Sequence, residues 1–274
     1  MSATMQDALA VVLAGIGPLA VAVSGGVDSL TLAALAHRVL GENALMVHAV
    51  SPAVPAEATL RVRAEAARAG WSLRVVEAGE FADPNYRANP VNRCFFCKTN
   101  LYGTIRRVTD RPMVSGANFD DLGEYRPGLD AAREHGVRHP YFEAGLDKAA
   151  VRALARDLGL GPVADLPAAP CLSSRVETGI RIEPETLAFI HTVEGMVATV
   201  LGASEGRKRA VRCRVRAVGI VVELDPDSLA ALDGLCRDDL AARIRARAPT
   251  GLPEAPVRFT AYRTGSAFLT GASA

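Results

Sequence analysis

The alternation of apolar and polar positions divides the first half of the chain into regular elements. Short apolar runs at residues 19–23, 44–50 and 72–76 predict buried strands. Helical patterns at about 29–40 and 55–69 separate these strands, after a first helix over 4–14. Strands that alternate with helices at this spacing predict an α/β fold, with a parallel sheet and helices on both faces.

The pattern changes in the second half of the chain. Residues 112–115 predict a fourth strand, and 95–107 and 148–158 predict helices. A stretch rich in Pro, Ala and Gly follows at 161–179. Beyond it we predict a long helix, two strands, a helical region and a last strand, at 183–201, 210–218, 220–224, 228–247 and 257–262. We therefore expect an α/β domain over residues 1–170 and a smaller α+β domain over 171–274.

Composition excludes several classes of protein. The 274 residues carry 31 basic and 30 acidic side chains, so the net charge is +1 and gives no general attraction to nucleic acid or anionic membranes. Residues 8–27 lack charge, but Gly and Pro at 15–18 break them into a helix, a turn and a strand, and no basic residue precedes them. Five cysteines are too few for a disulfide scaffold. We expect a soluble, cytoplasmic protein that binds neither nucleic acid nor membrane.

A glycine-rich turn joins the first predicted strand to the helix that follows. Its glycines allow tight turning, and its amides, with those of the helix start, can face an anion. Asp28 could hold Mg²⁺ on a phosphate, and the two serines could donate hydrogen bonds to phosphate oxygens. The lysine of a Walker A motif is replaced by Asp28, and the GxGxxG pattern is absent. The residues are Ser24, Gly25, Gly26, Val27, Asp28 and Ser29. The alternative is a turn with no chemical role.

This segment resembles the pyrophosphate loop of the PP-loop ATPases, the superfamily of GMP synthetase, NAD synthetase and tRNA thiolation enzymes. The resemblance implies that ATP binds with Mg²⁺ and is cleaved between its α and β phosphates. AMP then goes onto a carboxylate or carbonyl oxygen of the substrate and pyrophosphate leaves. The loop by itself names no substrate.

Three further segments follow in order, NRCFFCK at 92–98, NFDDLGEYRPG at 118–128 and PCLSSR at 170–175. Taken alone, the second is a polar surface turn. Together with the loop they resemble the LarE family of ATP-dependent sulfur transferases, over about residues 19–200. That family acts on a pyridinium dicarboxylate mononucleotide, the precursor of the nickel-pincer cofactor. The resemblance implies a PP-loop domain with a smaller C-terminal domain and a homo-oligomeric assembly. It also implies nucleotide contacts at Met46, Gly116, Asp121 and Arg126.

Three cysteines belong to these segments. Thiolates of Cys94, Cys97 and Cys171 could bind three irons of a [4Fe–4S] cluster and leave the fourth iron open. A redox pair, a zinc site with a further ligand, or simple packing are the alternatives for Cys94 and Cys97. In the LarE family the cysteine of the PCLSSR-like motif carries sulfur, so the resemblance makes Cys171 catalytic together with Asp28. We interpret Cys213 and Cys236 as structural.

The segment 207–216 holds six positive charges and no acid. Arg212, Arg214 and Arg216 alternate, so one face of a strand carries all three. They form either a solvated edge strand protected by charge or a face that binds an anionic substrate, with Arg175 and Glu223 as further substrate-binding residues.

Near this site the chain departs from the LarE pattern. Residues 217–223 (AVGIVVE) lack a His, and 176–181 (VETGIR) lack a Pro-Tyr-Gly segment. The function that we expect is adenylation and sulfuration of a small anionic carboxylate. A thiolase acting on another small molecule such as a nucleobase, an amide-forming ligase, and an iron–sulfur or nucleotide sensor are the alternatives.

Overall fold

The chain divides into two compact units. The computed structural model describes residues 2–123, 127–167, 170–202, 210–252 and 256–262. The first unit consists of Met1–Asp83 and Asn92–Ala169, and the second of Pro84–Val91 and Pro170–Ala274. Residues 84–91 thus belong to the same unit as the C-terminal part of the chain, whereas the sequence predicts them in the first domain.

The first unit is built on a parallel sheet of four strands in the order β3-β2-β1-β4. The strands are β1 (Leu19–Ala22), β2 (Ala44–Val50), β3 (Ser72–Glu77) and β4 (Met113–Ser115). The chain adds β2 and β3 on one side of β1 and then places β4 on the other side. This reversal lies at the carboxyl ends of β1 and β4, where ligands bind in open α/β sheets. The predicted α/β fold is confirmed.

Helices cover both faces of this sheet. Leu19 and Val21 of β1 pack in one apolar cluster with helices on one face, whereas Ala20 packs in a second cluster with Tyr102 and Ile105. The helices of this unit are α1 (Ser2–Ile16), α2 (Val27–Leu40), α3 (Ala56–Ala69), α5 (Arg93–Val108), α6 (Pro127–Glu134), α7 (Pro140–Glu143), α8 (Lys148–Asp157) and α9 (Gly161–Ala164). The short helix α4 (Pro84–Arg87) precedes α5 in sequence and belongs to the second unit. No helix in the described ranges has both the length and the apolar composition needed to cross a bilayer.

The second unit contains a sheet of three strands in the order β5-β6-β7. Strands β5 (Val211–Arg216) and β6 (Gly219–Leu224) are antiparallel, and β7 (Arg258–Ala261) is parallel to β6. Its long helix is α10 (Pro184–Leu201). The predicted helix over 228–247 is two helices, α11 (Pro226–Ala231) and α12 (Gly234–Arg245). The break occurs because an N-cap begins each helix: Asp225 accepts a bond from the amide of Ser228, and Asp233 from the amide of Cys236.

The segment 84–91 is fixed to the second unit by buried polar bonds. The side-chain amide of Asn89 donates to the carbonyls of Glu177 at 2.8 Å and Ile180 at 2.9 Å. The hydroxyl groups of Tyr86 and Ser173 are 2.6 Å apart. Both Tyr86 and Asn89 are almost fully buried. Such long-range bonds leave no periodic signal, so the sequence pattern could not reveal this segment's position.

Candidate functional site

The loop 24–29 lies between β1 and α2, at the carboxyl edge of the sheet. Helix α2 begins at Val27, two residues earlier than predicted, so Asp28 and Ser29 occupy its first turn. Gly25 has a φ of 84°, and a Cβ at this position would lie 2.8 Å from the carbonyl oxygen of Ala58. Both the backbone conformation and the close approach of α3 therefore require glycine.

Backbone carbonyls around the loop accept hydrogen bonds from protein donors. Nδ1 of His48 donates to Val23 O at 2.8 Å, and Nη1 of Arg61 donates to Gly25 O at 2.6 Å. The carbonyl oxygen of Gly26 accepts one bond from the Ser29 hydroxyl at 3.1 Å and a second from a backbone amide in the next turn of α2. The first amides of a helix have no intrahelical acceptor and carry partial positive charge. The loop therefore combines occupied carbonyls with amides that can bind an anion.

The two serines of the loop bind each other. Their hydroxyl oxygens are 3.1 Å apart, and the amide of Ser24 donates to the Ser29 hydroxyl at 3.1 Å. Ser29 is buried and shapes the turn, whereas Ser24 is exposed. Of the two predicted phosphate donors, Ser24 is thus the more accessible.

Asp28 is the centre of a polar cluster. Its Oδ1 accepts a bond from the side-chain amide of Asn118 at 3.1 Å, and its Oδ2 lies 2.5 Å from the amino group of Lys148. Its backbone carbonyl accepts a bond from the buried hydroxyl of Tyr141 at 2.8 Å. Burial, and secondly the charge of Asp28, raise the pKa of Tyr141 well above its usual value, so this hydroxyl stays protonated. A carboxylate at this point is an oxygen ligand suited to Mg²⁺.

Lys148 was not among the predicted site residues. It is the first residue of α8, whose N-cap Asp147 accepts a bond from the amide of Ala150 at 2.8 Å. One signal could have found it, because the chain has only three lysines, at 98, 148 and 208. A lysine retained at a helix start, where the macrodipole disfavours positive charge, is unusual enough to suggest a role.

The remaining predicted nucleotide residues have different environments. A Cβ on Gly116 would lie 2.9 Å from the carbonyl carbon of Asp28, so only glycine lets the end of β4 approach the loop. Asp121 accepts a bond from the amide of Asn118 at 3.0 Å and so supports the residue that binds Asp28. The side chain of Met46 is fully buried in the core. Arg126 lies outside the described residues.

Cys94 and Cys97 lie in the first turns of α5, which begins at Arg93, two residues before the predicted start at 95. Residues three apart share one face of a helix, so the two thiols can act as a pair. This spacing fits two of the ligands of an iron–sulfur cluster. Across the described ranges, no group of three or more His, Cys, Asp or Glu side chains is arranged to hold a metal ion. The [4Fe–4S] cluster stays a prediction.

Cys171 lies in a turn of the second unit that Arg175 holds together. Nη1 of Arg175 donates to the carbonyls of Pro170 at 2.6 Å and Cys171 at 3.1 Å. Its Nε donates to Glu194 at 3.0 Å. Arg175 is only 4% exposed, while Cys171 is half-buried. Arg175 was predicted to bind substrate. In the structure it holds the backbone turn that carries Cys171, the candidate sulfur-carrying residue.

The arginines of β5 are not a solvated edge. Arg214 is 5% exposed, and its Nε donates to Oε2 of Glu223 at 2.7 Å. Nη2 of Arg216 donates to the other oxygen of the same carboxylate at 3.0 Å. Glu223, predicted to bind substrate, is therefore the buried counter-ion of two of the arginines. The sequence suggested a shared strand face but could not show that a carboxylate on the adjacent strand would meet it.

Among the residues that the structure describes, this cluster holds more guanidinium than carboxylate groups. It contains four arginines and two glutamates, which are Arg175, Arg212, Arg214, Arg216, Glu194 and Glu223. Burial, and secondly the charge of Arg175, lower the pKa of Arg212. The Arg212 guanidinium lies 5.9 Å from the centre of the Tyr262 ring. A partly buried cluster with excess guanidinium charge favours binding of an anion.

The other two cysteines occupy unremarkable positions. Cys213 is completely buried in β5, and burial raises the pKa of its thiol far above its usual value. It therefore stays a thiol and packs as a small apolar side chain. Cys236 lies in the first turn of α12.

The fold and this geometry define a class: an α/β protein with a glycine-rich loop at the switch point of a parallel sheet, where the first amides of a helix can face an anion. The chain is 39% identical over 213 residues to the uncharacterized protein slr1717 of Synechocystis sp., an alignment that covers 76% of this chain and 77% of that protein. The chain therefore belongs to the family of this Synechocystis protein. No protein-family model matches it.

Two more distant relatives are similar over much of the same length. The uncharacterized protein MJ0830 of Methanocaldococcus jannaschii is 25% identical over 76% of this chain and 77% of its own. The pyridinium-3,5-bisthiocarboxylic acid mononucleotide synthase of Lactiplantibacillus plantarum is 28% identical over 70% of this chain and 71% of its own. The similarity to this synthase supports the LarE-like resemblance of the sequence motifs, while a joint role for Cys94, Cys97 and Cys171 stays a prediction.

Proposed function

We propose that this protein is an ATP-dependent sulfurtransferase that adenylates a carboxylate of a small anionic molecule and replaces one of its oxygens with sulfur. The products are the thiocarboxylate, AMP and pyrophosphate. The observation that carries the proposal is the loop 24–29, where protein donors occupy backbone carbonyls and the first amides of α2 can face an anion. The Asp28 carboxylate lies in the first turn of the same helix. The distant similarity to a synthase of a bisthiocarboxylic acid supports the sulfur step.

The loop would bind the triphosphate of ATP. Amides at the start of α2 contact phosphate oxygens, and Asp28 binds the accompanying Mg²⁺. Asp28 is now bound to Lys148 and Asn118, so metal binding needs a new partner for the lysine. The phosphates supply it, since a lysine ammonium is a strong phosphate ligand.

Adenylation solves a chemical problem of the substrate. A carboxylate is a poor electrophile because neither oxygen leaves readily. When its oxygen attacks the α-phosphorus of ATP, pyrophosphate leaves and the carboxyl carbon acquires AMP as a good leaving group. A sulfur nucleophile then attacks this carbon and AMP departs.

The arginine cluster of the second unit would bind the anionic part of the substrate. Its excess positive charge and its partial burial favour a charge-assisted contact with a carboxylate or phosphate. A pyridinium dicarboxylate mononucleotide offers both groups. The same chemistry admits another small anion that carries a carboxylate.

Cys171 would deliver the sulfur. Arg175 fixes its backbone, while the side chain itself is half-buried. In the sacrificial route the thiolate attacks the adenylate, AMP leaves, and β-elimination transfers sulfur and converts the cysteine to dehydroalanine. The alternative source would be sulfur bound to an iron–sulfur cluster that Cys94, Cys97 and Cys171 would hold.

The test is product analysis with labelled ATP and the pyridinium dicarboxylate mononucleotide. We expect AMP and pyrophosphate, and we expect Asp28→Asn to abolish both. Asp165→Asn, which alters an exposed carboxylate in the same unit, is the matched control and should keep full activity. ADP and phosphate as products would exclude the adenylating mechanism, and full activity with ammonia in a Cys171→Ala protein would identify an amide-forming ligase.

A further inference from the structure

Arg61 connects helix α3 to the loop 24–29. Its Nη1 donates to the carbonyl oxygen of Gly25 at 2.6 Å, across 36 positions of sequence. The side chain is half-buried, and it reaches the loop from one turn inside α3. A charged donor on a backbone carbonyl makes a stronger hydrogen bond than a neutral one.

The geometry of the peptide bond gives this contact a consequence for the loop. In a trans peptide the carbonyl of one residue and the amide of the next point in opposite directions. All peptide bonds described here are trans. When Arg61 holds the Gly25 carbonyl toward α3, the amide of Gly26 is turned away from α3.

The carbonyl itself also matters for binding. A carbonyl oxygen that pointed at a phosphate would repel it, because both carry negative charge. Holding the carbonyl on the α3 side removes this repulsion and offers a donor in its place. The contact of Arg61 with the Gly25 carbonyl thus leaves a hydrogen-bond donor, rather than a carbonyl oxygen, on the side of the loop away from α3.

Helix α3 supports the loop at two further points. The backbone of Ala58 lies so close to Gly25 that a Cβ on the glycine would be 2.8 Å from its carbonyl oxygen. Thr59 binds Nε2 of His48 at 2.9 Å, and Nδ1 of the same ring donates to Val23 O. Arg61 therefore acts from a helix whose position beside the loop is already fixed.

We propose that Arg61 is a positioning residue for the phosphate-binding loop, which turns the amide of Gly26 toward the triphosphate of bound ATP. This inference rests on the proposed function, because it takes ATP as the ligand of the loop. It adds a residue of α3 that lies outside the four sequence motifs. Arg61 acts through the loop backbone and does not touch the reacting atoms.

The first experiment compares the binding of Mg-ATP and of adenosine to the full chain by isothermal titration calorimetry. We expect Arg61→Ala to weaken ATP binding about tenfold, as for loss of one charge-assisted hydrogen bond. Adenosine binding should be unchanged, because it has no phosphate. Arg61→Lys, which keeps the charge and a donor, should recover part of the ATP affinity.

Arg63→Ala is the matched control. Arg63 lies on the same helix and is exposed, so its removal changes the net charge equally. ATP affinity should then stay within about twofold of the wild-type value. An equal loss in both alanine variants would show a general charge effect and overturn the proposal, as would unchanged ATP affinity in Arg61→Ala.

The second experiment needs no nucleotide. Hydrogen exchange of the loop amides in the nucleotide-free protein should be faster in Arg61→Ala than in the wild type and in Arg63→Ala. If wild-type protein fails to bind ATP but shows this difference, the proposed function fails while the positioning role stands. Equal exchange in all three proteins overturns the positioning role.

Discussion

The amino group of Lys148 lies 2.5 Å from Oδ2 of Asp28, so a residue at the start of α8 neutralises the carboxylate that follows the glycine loop. Both side chains are partly exposed, at 32% and 25%, so solvent and ligands can reach the pair. If the loop binds Mg-ATP as proposed, Asp28 would serve as a metal ligand and Lys148 as a phosphate ligand.

Replacement of Lys148 by Met should slow pyrophosphate formation by about 10- to 100-fold, the cost of one hydrogen bond to a charged group. The fold should persist, because a partly exposed ion pair contributes about 1 kcal/mol or less. A continuous assay of pyrophosphate release measures the rate, and circular dichroism measures the melting temperature.

Arg156→Met is the control for Lys148. It removes a positive charge from the same helix, at an exposed pair with Asp165. Its rate of pyrophosphate release should equal that of the wild-type protein. An unaffected rate in Lys148→Met would show that the lysine serves only as a counter-ion.

Arg214→Met should destabilise the protein by about 3–5 kcal/mol, because it removes a buried partner of Glu223. The double variant Arg214→Met/Glu223→Gln should lose less, since it no longer buries a charge with too few partners. Urea denaturation followed by circular dichroism gives the free energies. Arg243→Met, which breaks the exposed pair with Asp239, should cost less than about 1 kcal/mol.

Replacement of Arg212 by Ala should raise the KM for the anionic substrate by about 10- to 150-fold, as for a lost charge-assisted bond, with the KM for ATP unchanged. Arg212 is a cleaner probe than Arg214, which is buried against Glu223. Steady-state kinetics with each substrate varied in turn make the measurement. Arg258→Ala, at an exposed position of the same sheet, should leave both constants unchanged. A normal KM in Arg212→Ala would remove this residue from the substrate site.

The protein should lose stability as the pH falls below about 6.5. Burial is the main cause that lowers the pKa of His48 in the folded state, although its bond to Val23 opposes this. At pH values between the ordinary pKa of histidine and this lower pKa, the unfolded chain binds more protons than the folded protein, so acid favours unfolding. Burial also lowers the pKa of His139, which adds to the effect in the same direction. Urea titrations from pH 7.5 to about 5 should show the decline, and His48→Gln should show a smaller slope.

Anaerobic reconstitution with iron and sulfide should give protein with brown charge-transfer absorbance. Cys94→Ala and Cys97→Ala should each remove this absorbance and the activity, whereas Cys236→Ala should keep both. The thiols of Cys94 and Cys97 share a helix face, which suits them as neighbouring ligands. If both variants remain active and mass spectrometry shows loss of hydrogen sulfide from Cys171 after one turnover, Cys171 is a sacrificial donor that acts alone.

The four strands and the longer helices of the first unit could be predicted from the sequence because each has its own local period. The short helices α6, α7 and α9 were not predicted, since they span too few turns to show one. The strand at 44–50 has the predicted bounds, and α3 begins one residue after the predicted start. The start of α2 was placed two residues late, because Val27 and Asp28 continue the loop motif in sequence although their backbone is helical. Helix α5 likewise begins two residues before its predicted start and so includes Cys94.

The partners of the site residues could not be predicted in this way. Lys148 lies 120 positions from Asp28, and Arg61 lies 36 positions from Gly25. Neither pair lies within a single helix or strand, so no local period in the sequence relates its members. The sequence also suggested an open arginine face on β5 but not the buried Glu223 that neutralises two of its members.

By itself the sequence determined the α/β class, the position of the glycine loop at a strand end and the residue types of its motifs. These follow from hydrophobic periods and from residue types within short segments, which act locally. Only the tertiary structure decided that Lys148 and Asn118 bind Asp28, that Arg175 holds the turn of Cys171, and that residues 84–91 belong to the second unit. These contacts join distant parts of the chain, and the packing of whole elements fixes them.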